Sequence, residues 1–225
     1  MYMGGNGFYW VTTRMPDRPW LIEVRRGFSG NRAWESEAGE EHHAATGERG
    51  GLWRRRGLSP NALVGVGFSA QGWDTAGRGY RLSGAASADP RAAWMFEGIS
   101  ADTIGEHGLV MGGAAGDELD RADPMLGTPP HALVLGSSGG HSRYYLLCQE
   151  DALFSHNMMG GDVNPNVRAD LCFFETPGNG AVFSVGSKAW AGSLSCNDYD
   201  NDVARLSTNV LRGFLSRDFV PEFRQ

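Results

Sequence analysis

The sequence has almost no lysine, since Lys188 is the only one among 20 basic residues and all the others are arginines. The formal net charge is −6 and no long basic stretch occurs, which disfavours a nucleic-acid partner. No apolar run approaches the ~18 residues that a membrane-spanning helix needs. A basic segment followed by an apolar one, the pattern of a signal peptide, is also missing. We therefore expect a cytoplasmic protein with neither a membrane nor a nucleic acid as partner.

Cysteine is scarce too, with Cys148, Cys172 and Cys196 each 24 residues from the next. An odd number without a C-x-x-C pair disfavours a disulfide framework or a zinc ribbon, so we expect three buried free thiols. The G-x-S-x-G of a serine nucleophile elbow and the H-E-x-x-H of a zinc protease are absent. The glycine turn (residues 4–7) has neither the lysine nor the spacing of a phosphate-binding loop.

Glycine, in contrast, is abundant, with 33 of 225 residues, or about 15% against a usual ~7%. The glycines follow no three-residue period, which excludes collagen, and they alternate with aromatic residues, which disfavours a disordered linker. This composition predicts many tight turns and bulges. The length fits a single domain over residues 1–225.

Apolar runs and turn residues predict the secondary structure. Strands are expected at residues 1–3, 20–25, 62–68 and 132–136. Residues 169–174 and 181–186 flank a Pro-Gly-Asn-Gly turn, which predicts a hairpin. A helix capped by Asp200 or Asn201 is expected next. Its apolar face would consist of Val203, Leu206, Val210, Leu211 and Phe214.

Two places near the start of the chain could carry chemistry. Residues 40–43 (Glu-Glu-His-His) and Glu48 could bind a divalent metal, because imidazole and carboxylate groups suit such ions, or they could form a solvated polar loop. They lie in a polar stretch, residues 31–57, that is expected to run over the surface. Tyr9 follows the glycine turn, where its phenol could lose a proton and bind a hard trivalent cation, or serve only as an aromatic wall.

Three further residues are candidates. Glu97 closes the apolar run of residues 94–96, and Glu175 follows two phenylalanines. A carboxylate beside apolar residues must be paired, protonated or bound to a metal, although either glutamate could simply be exposed or salt-bridged. His141, after a serine- and glycine-rich turn, either serves a site or plays no chemical part.

Eight sequence blocks together resemble one known family. They are residues 3–10 (MGGNGFYW), 22–26 (IEVRR), 50–54 (GGLWR), 64–68 (VGVGF), 114–121 (AAGDELDR), 127–131 (GTPPH), 173–177 (FFETP) and 186–194 (GSKAWAGSL). These blocks resemble the C-terminal part of the large (beta) subunit of N,N-dimethylformamidase, from Met1 to about Leu215.

The resemblance implies a glutamine-amidotransferase-like (Rossmann-like) α/β sheet with β-rich, glycine-rich insertions. It implies the hydrolysis of a small amide, such as N,N-dimethylformamide, to amine and carboxylate, with a mononuclear Fe³⁺ as Lewis acid on water or the carbonyl. Two tyrosines and one glutamate would bind this iron. Tyr9 and Glu97 match two of these ligands, whereas Tyr2 is too close to Tyr9 to be the second tyrosine. That ligand is expected upstream of Met1, which would make the chain N-terminally incomplete.

The resemblance also assigns other roles. Glu175 would transfer protons to the leaving amine. Where the family has a histidine two residues before the metal-binding glutamate, this chain has Met95, which cannot transfer protons. The residues expected to line the substrate pocket are Asn6, Phe8, Trp10, Phe96 and His141. A small partner subunit and a second copy of the chain are possible partners, and the alternative function is that of a non-catalytic glutamine-amidotransferase-like binding or structural domain in a larger assembly.

Overall fold

A computed structural model describes residues 1–27, 36–74, 77–152, 154–216 and 219. Strands in these residues are β1 (Thr12–Met15), β2 (Arg18–Val24), β3 (Gly67–Gly72), β4 (Tyr80–Leu82), β5 (Thr103–Ile104), β6 (Asp117–Arg121), β7 (Leu133–Ser137), β8 (Tyr145–Leu147), β9 (Asp170–Thr176) and β10 (Gly180–Ser184). The α-helices are α1 (Pro60–Val64), α2 (Gly84–Ser87), α3 (Ala189–Ser193) and α4 (Asp202–Leu215). Short 3-10 helices cover Trp53–Arg56, Ala93–Phe96, Pro124–Leu126, Gln149–Asp151 and Cys196–Tyr199.

The described strands form three sheets. The largest has the order β10-β9-β7-β4-β5, a second has β6-β3-β8, and β1 and β2 form a hairpin of their own. Each pair of neighbouring strands in these sheets is antiparallel. A Rossmann-like sheet is parallel instead, with helices on both faces. The mixture of helices and strands thus confirms the α/β class, while the described sheets differ from the expected parallel arrangement.

Local sequence signals identified several elements correctly. The strands expected at residues 20–25 and 132–136 correspond to β2 and β7, and the expected hairpin corresponds to β9 and β10. Asn179 in the hairpin turn has a left-handed φ of 57°, a conformation that asparagine tolerates well. The side chain of Asn201 accepts a hydrogen bond from the backbone of Ala204 and so caps α4.

The strand expected at residues 62–68 is wrong, because this segment contains α1 and only the start of β3. The Ser59 side chain accepts a hydrogen bond from the backbone of Asn61, and Pro60 occupies the first helical position. Gly65, with a φ of +78°, then ends the helix in a left-handed conformation. These cap signals outweigh the apolar run that suggested a strand.

The large sheet and α4 share the main hydrophobic core, whose bulkiest fully buried members include Trp190, Tyr80, Phe173, Phe183 and Leu206. A small second cluster contains Tyr9, Leu52, Phe68 and Cys148. Cys148 and Cys172 are buried free thiols as expected, whereas Cys196 is free but partly exposed. Within the described residues, no helix is both long and apolar enough to cross a membrane.

Candidate functional site

The glycine turn lies where the start of the chain meets the large sheet. Instead of the strand expected at residues 1–3, Tyr2 forms a single parallel bridge with Ser184 of β10. The chain then turns through Gly4 and Gly5, whose φ angles are +82° and +94°. A Cβ on Gly4 would lie 2.5 Å from the backbone nitrogen of Ser187, so only glycine fits this approach.

The Tyr2 side chain holds this turn from within. Its hydroxyl donates a hydrogen bond of 2.8 Å to the carbonyl oxygen of Gly5 and accepts one of 3.1 Å from the backbone N–H of Gly7. Phe8, the next residue, has a left-handed φ of 57° and an exposed fraction of 50%. An aromatic residue in this conformation is uncommon and is often found where function requires it.

Acidic residues of β6 lie directly against the glycine turn. A Cβ on Gly5 would come within 3.0 Å of Oε2 of Glu118. The Nζ atom of Lys188 lies 2.7 Å from Oδ2 of Asp117 and 3.6 Å from Oε1 of Glu118. The hydrogen bond to Asp117 raises the pKa of Lys188, so this amine is charged at neutral pH. The only lysine of the chain therefore belongs to a polar cluster beside the turn.

Asp120 is the deepest acid of β6, with no exposed surface. Within the described residues, no hydrogen bond of good geometry reaches either of its carboxylate oxygens. Burial raises its pKa well above the usual range, and the nearby Tyr2 hydroxyl offsets this only in part. Asp117, Glu118 and Asp120 are not among the site residues that the sequence predicts. The signal was the two-residue spacing of Glu118 and Asp120, which places both side chains on one face of a strand.

Tyr9 is a buried core tyrosine with 3% of its surface exposed. Its ring meets those of Trp10 and Phe68 edge-on, at centroid distances of 5.2 and 5.0 Å. The Tyr9 hydroxyl has no hydrogen-bond partner of good geometry among the described residues. Burial raises its pKa, and the neighbouring Cys148 and Asp151 raise it further, so the phenol is neutral.

An ion pair lies next to Tyr9. Asp151 contacts Arg54 with an N–O distance of 2.6 Å, and both side chains are largely buried. Burial raises the pKa of Asp151 to about 6, although Arg54 lowers it. The surroundings of Tyr9 are therefore polar as well as aromatic.

Glu97 lies in a different environment. It is exposed, directly after the 3-10 helix Ala93–Phe96, and its backbone oxygen accepts a 2.9 Å hydrogen bond from Asn209 of α4. Met95 is fully buried. In the part of the chain that the structure describes, no group of three His, Cys, Asp or Glu side chains is arranged to hold a metal ion. The assignment of Tyr9 and Glu97 as iron ligands therefore stays a prediction.

Glu175 is buried on β9, with 3% of its surface exposed. Arg91 reaches both carboxylate oxygens, one at 2.8 Å, and also donates to the backbone oxygen of His131. Burial disfavours the charged form of Glu175, but the hydrogen bonds from Arg91 outweigh it and lower the pKa. Glu175 is thus an ionised, paired carboxylate at neutral pH.

Of the five residues predicted to line a pocket, Phe8 lines an open apolar cavity of about 570 Å³. The other residues around this cavity are Thr12, Trp53, Gly57, Leu58, Ser59, Pro60, Ala62 and Leu63. Asn6 is exposed on the glycine turn, and Trp10 packs on Tyr9. Phe96 belongs to the main core.

His141 is buried and its Nε2 atom lies 2.8 Å from the Ser138 hydroxyl. Burial lowers the pKa of His141 to about 4, so the ring is neutral at pH 7. Its Nδ1 atom has no hydrogen-bond partner among the described residues, so no carboxylate there completes a serine–histidine triad.

In the described part of the polar stretch, residues 36–57, no group of side chains is arranged to hold a metal ion. Residues 28–35 lie outside the described residues. Glu41 pairs with Arg49 at 2.8 Å, and Glu48 lies 3.8 Å from Arg56. His43 is buried whereas His42 is exposed, as expected for adjacent side chains that point apart.

The family is shown by comparison with known proteins. The family model described as N,N-dimethylformamidase beta subunit-like, C-terminal, matches residues 1–201, and the chain therefore belongs to this family. The N,N-dimethylformamidase beta subunit of Paracoccus aminophilus is 45% identical over 222 residues, and that of Alcaligenes sp is 44% identical over 222 residues. Each comparison covers 98% of this chain but 29% of the relative, so the chain spans less than a third of their length. The resemblance read from the sequence blocks is confirmed.

Proposed function

We propose that the chain takes part in the hydrolysis of a small amide, of the N,N-dimethylformamide kind, to an amine and a carboxylate. The observation that carries this proposal is 45% and 44% identity, over 98% of the chain, to two proteins named N,N-dimethylformamidase beta subunit. In this reaction water adds to the amide carbon, the C–N bond breaks, and the amine leaves with a proton.

Two carboxylates of the chain are candidates for these proton transfers. Glu175 remains our candidate from the sequence, although its pairing with Arg91 suits proton acceptance better than donation to the amine. Glu118 is the second candidate, because it lies against the glycine turn and near Lys188.

The cavity beside Phe8 supports the proposed substrate class. Its walls include Trp53, Leu58 and Leu63, and apolar walls of this kind favour N-methyl groups over water. We propose this cavity, rather than the surroundings of Phe96 or His141, as the place for the N-substituents of the amide.

A mononuclear Fe³⁺ remains part of the proposal for the complete enzyme, where it would act as a Lewis acid on the substrate. The resemblance proposes Tyr9 and Glu97 as two of its ligands; Tyr9 is buried in the small aromatic cluster, whereas Glu97 is exposed beside α4. We therefore derive no step through the metal. The proposal therefore requires that another part of the assembly supply further protein ligands to the iron.

The expected location, partners and fold belong to the same proposal. We propose that the chain works in a cytoplasmic assembly with a small partner subunit and a second copy. A glutamine-amidotransferase-like fold stays a proposal for this chain, and among its described strand pairings the bridge between Tyr2 and Ser184 is parallel, as that fold requires.

The proposal is tested on the protein purified with its natural partner polypeptides. Release of dimethylamine and formate from N,N-dimethylformamide is expected, together with bound iron. A stably folded assembly that contains no iron and hydrolyses no amide would instead favour the alternative, a non-catalytic binding or structural domain.

The role of Tyr9 is tested by the visible spectrum of the iron-loaded assembly. If Tyr9 binds the metal, Tyr9→Phe removes or shifts the tyrosinate-to-iron charge-transfer band. An unchanged band, with unchanged iron content, would assign Tyr9 to the core alone. Phe68→Leu is the matched control, because it alters the same cluster and keeps the Tyr9 hydroxyl.

A further inference from the structure

The hydroxyl of Tyr2 connects two positions of the glycine turn. It donates to the backbone oxygen of Gly5 at 2.8 Å and accepts from the backbone N–H of Gly7 at 3.1 Å. Glycines impose little conformational preference of their own, so a turn rich in them needs an outside constraint to adopt one shape. Tyr2 supplies such a constraint, since its own backbone is bonded to Phe183 and Val185.

Asp120 interacts with this hydroxyl through its side chain. It is fully buried and has no well-formed hydrogen bond among the described residues. A phenol both donates and accepts hydrogen bonds. Gly5 uses the donor of the Tyr2 hydroxyl, and Gly7 donates to its oxygen. A protonated Asp120 would support this arrangement by donating to the same oxygen, whereas an ionised Asp120 would compete with Gly5 for the phenol proton.

We propose that Tyr2 and Asp120 are positioning residues that fix the glycine turn against the carboxylate of Glu118. The close approach supports this, because a Cβ on Gly5 would lie 3.0 Å from Oε2 of Glu118. Any movement of the turn therefore changes the surroundings of that carboxylate. The effect of Tyr2 and Asp120 on catalysis rests on the proposed amide hydrolysis. Their effect on the shape of the glycine turn does not depend on that function.

The experiment uses the protein purified with its natural partner polypeptides and measures two quantities. Amide hydrogen exchange at Gly7 reports on the turn, and kcat and KM for N,N-dimethylformamide report on the reaction. Tyr2→Phe is expected to speed exchange at Gly7 about tenfold, the effect of one lost hydrogen bond. The same variant should lower kcat about tenfold with little change in KM, because a displaced group acts in the transition state.

Variants of Asp120 distinguish positioning from packing. Asp120→Asn keeps a neutral donor and should retain slow exchange at Gly7 and most of kcat, whereas Asp120→Leu should resemble Tyr2→Phe. Ser207→Ala is the control, because it removes a partly buried hydrogen bond, to Nε1 of Trp190, that does not involve the turn. It should lower stability without faster exchange at Gly7.

Several results would overturn the inference. They are unchanged exchange at Gly7 in Tyr2→Phe, and equal behaviour of Asp120→Asn and Asp120→Leu. If Asp120→Leu does not fold, Tyr2→Phe and Asp120→Asn still test whether Tyr2 and Asp120 position the glycine turn. Should the wild type hydrolyse no amide, the proposed function fails, and exchange at Gly7 alone decides whether Tyr2 and Asp120 hold the turn.

Discussion

Among single residues, Asp120 is the most unusual, because an acid without exposed surface normally has well-formed partners. Its folded-state pKa lies above its unfolded value, since burial disfavours the charge. The unfolded chain therefore releases this proton first as pH rises. Folding stability must fall as pH rises from the unfolded pKa, ~3.9, towards the folded one.

Asp120→Asn should remove this pH dependence. Between the two pKa values, each pH unit should lower the stability of the wild type relative to the variant by up to about 1.4 kcal/mol. The titratable groups that interact with Asp120 are Tyr2, Tyr80, Glu118 and Cys148. Urea unfolding at pH 5, 6 and 7 measures the difference, and parallel pH profiles for the two proteins would contradict the prediction.

For the pair of Arg91 and Glu175 we expect the opposite dependence of folding stability on pH. Arg91→Met leaves a buried carboxylate without its partner, which should cost about 3–5 kcal/mol of stability at pH 7. The pKa of Glu175 is lowered in the folded wild type, so the contribution of the pair exists at neutral pH and is lost as pH falls through that lowered pKa. The loss in the variant should accordingly shrink in acid.

Thermal unfolding of Arg91→Met at pH 4 and 7 provides the measurement. A double variant that also carries Glu175→Leu is the control, because it removes the unpaired charge and should regain most of the stability. Equal stability of the single and double variants would argue against a buried ion pair.

At the scale of elements, α1 depends on its glycine end. Gly65→Ala should destabilise the protein by about 1–3 kcal/mol, because the φ of +78° is left-handed and a Cβ would lie 2.7 Å from Sγ of Cys172. Gly84→Ala in α2 is the matched control, since a Cβ there meets nothing within 4 Å. It should be neutral or stabilising by up to ~1 kcal/mol. The denaturant midpoints of both variants measure these changes. Similar losses of stability in Gly65→Ala and Gly84→Ala would contradict the prediction.

Elements with local signals could be predicted from the sequence, and those set by distant contacts could not. The helical face of α4 and the turn between β9 and β10 lie within short stretches of chain, so their patterns are visible. The pairing of β7 with β9, or of β3 with β6, joins segments far apart in the sequence. No short pattern specifies these partners, which is why the antiparallel order was not foreseen.

The candidate site shows the same division. Tyr9 is a candidate because it follows a glycine turn, and Phe8 is one because of the family resemblance; the structure places Phe8 on an apolar cavity. Glu118 and Asp120 were not recognised, because an acid in a short strand is usually exposed. Their burial results from packing against the glycine turn and β3, a contact across more than a hundred residues in one case.

For the whole molecule, the hairpin of β1 and β2 is an exposed apolar region. Trp20, Ile22 and Val24 alternate along β2 and therefore share one face, with exposed fractions of 75%, 63% and 42%. Apolar side chains in such an arrangement contribute little to the core and favour association.

A double variant, Trp20→Ser with Ile22→Thr, should leave the free energy of unfolding within about 0.5 kcal/mol of the wild type. It should also reduce self-association in light scattering. Trp190→Phe is the buried counterpart and should be clearly destabilising, because Trp190 has no exposed surface. A large loss of stability in the double variant would mean that the hairpin face is part of the core.

The position of Lys188 has a practical consequence. It is the only side-chain amine in the sequence and lies half-exposed between Asp117 and Glu118, beside the glycine turn. Amine-reactive dyes therefore have one side-chain target in this chain, and that target is at the candidate site. Because its pKa is raised, labelling needs an alkaline buffer. A fluorophore attached there would report directly on molecules that enter or leave the region of the turn.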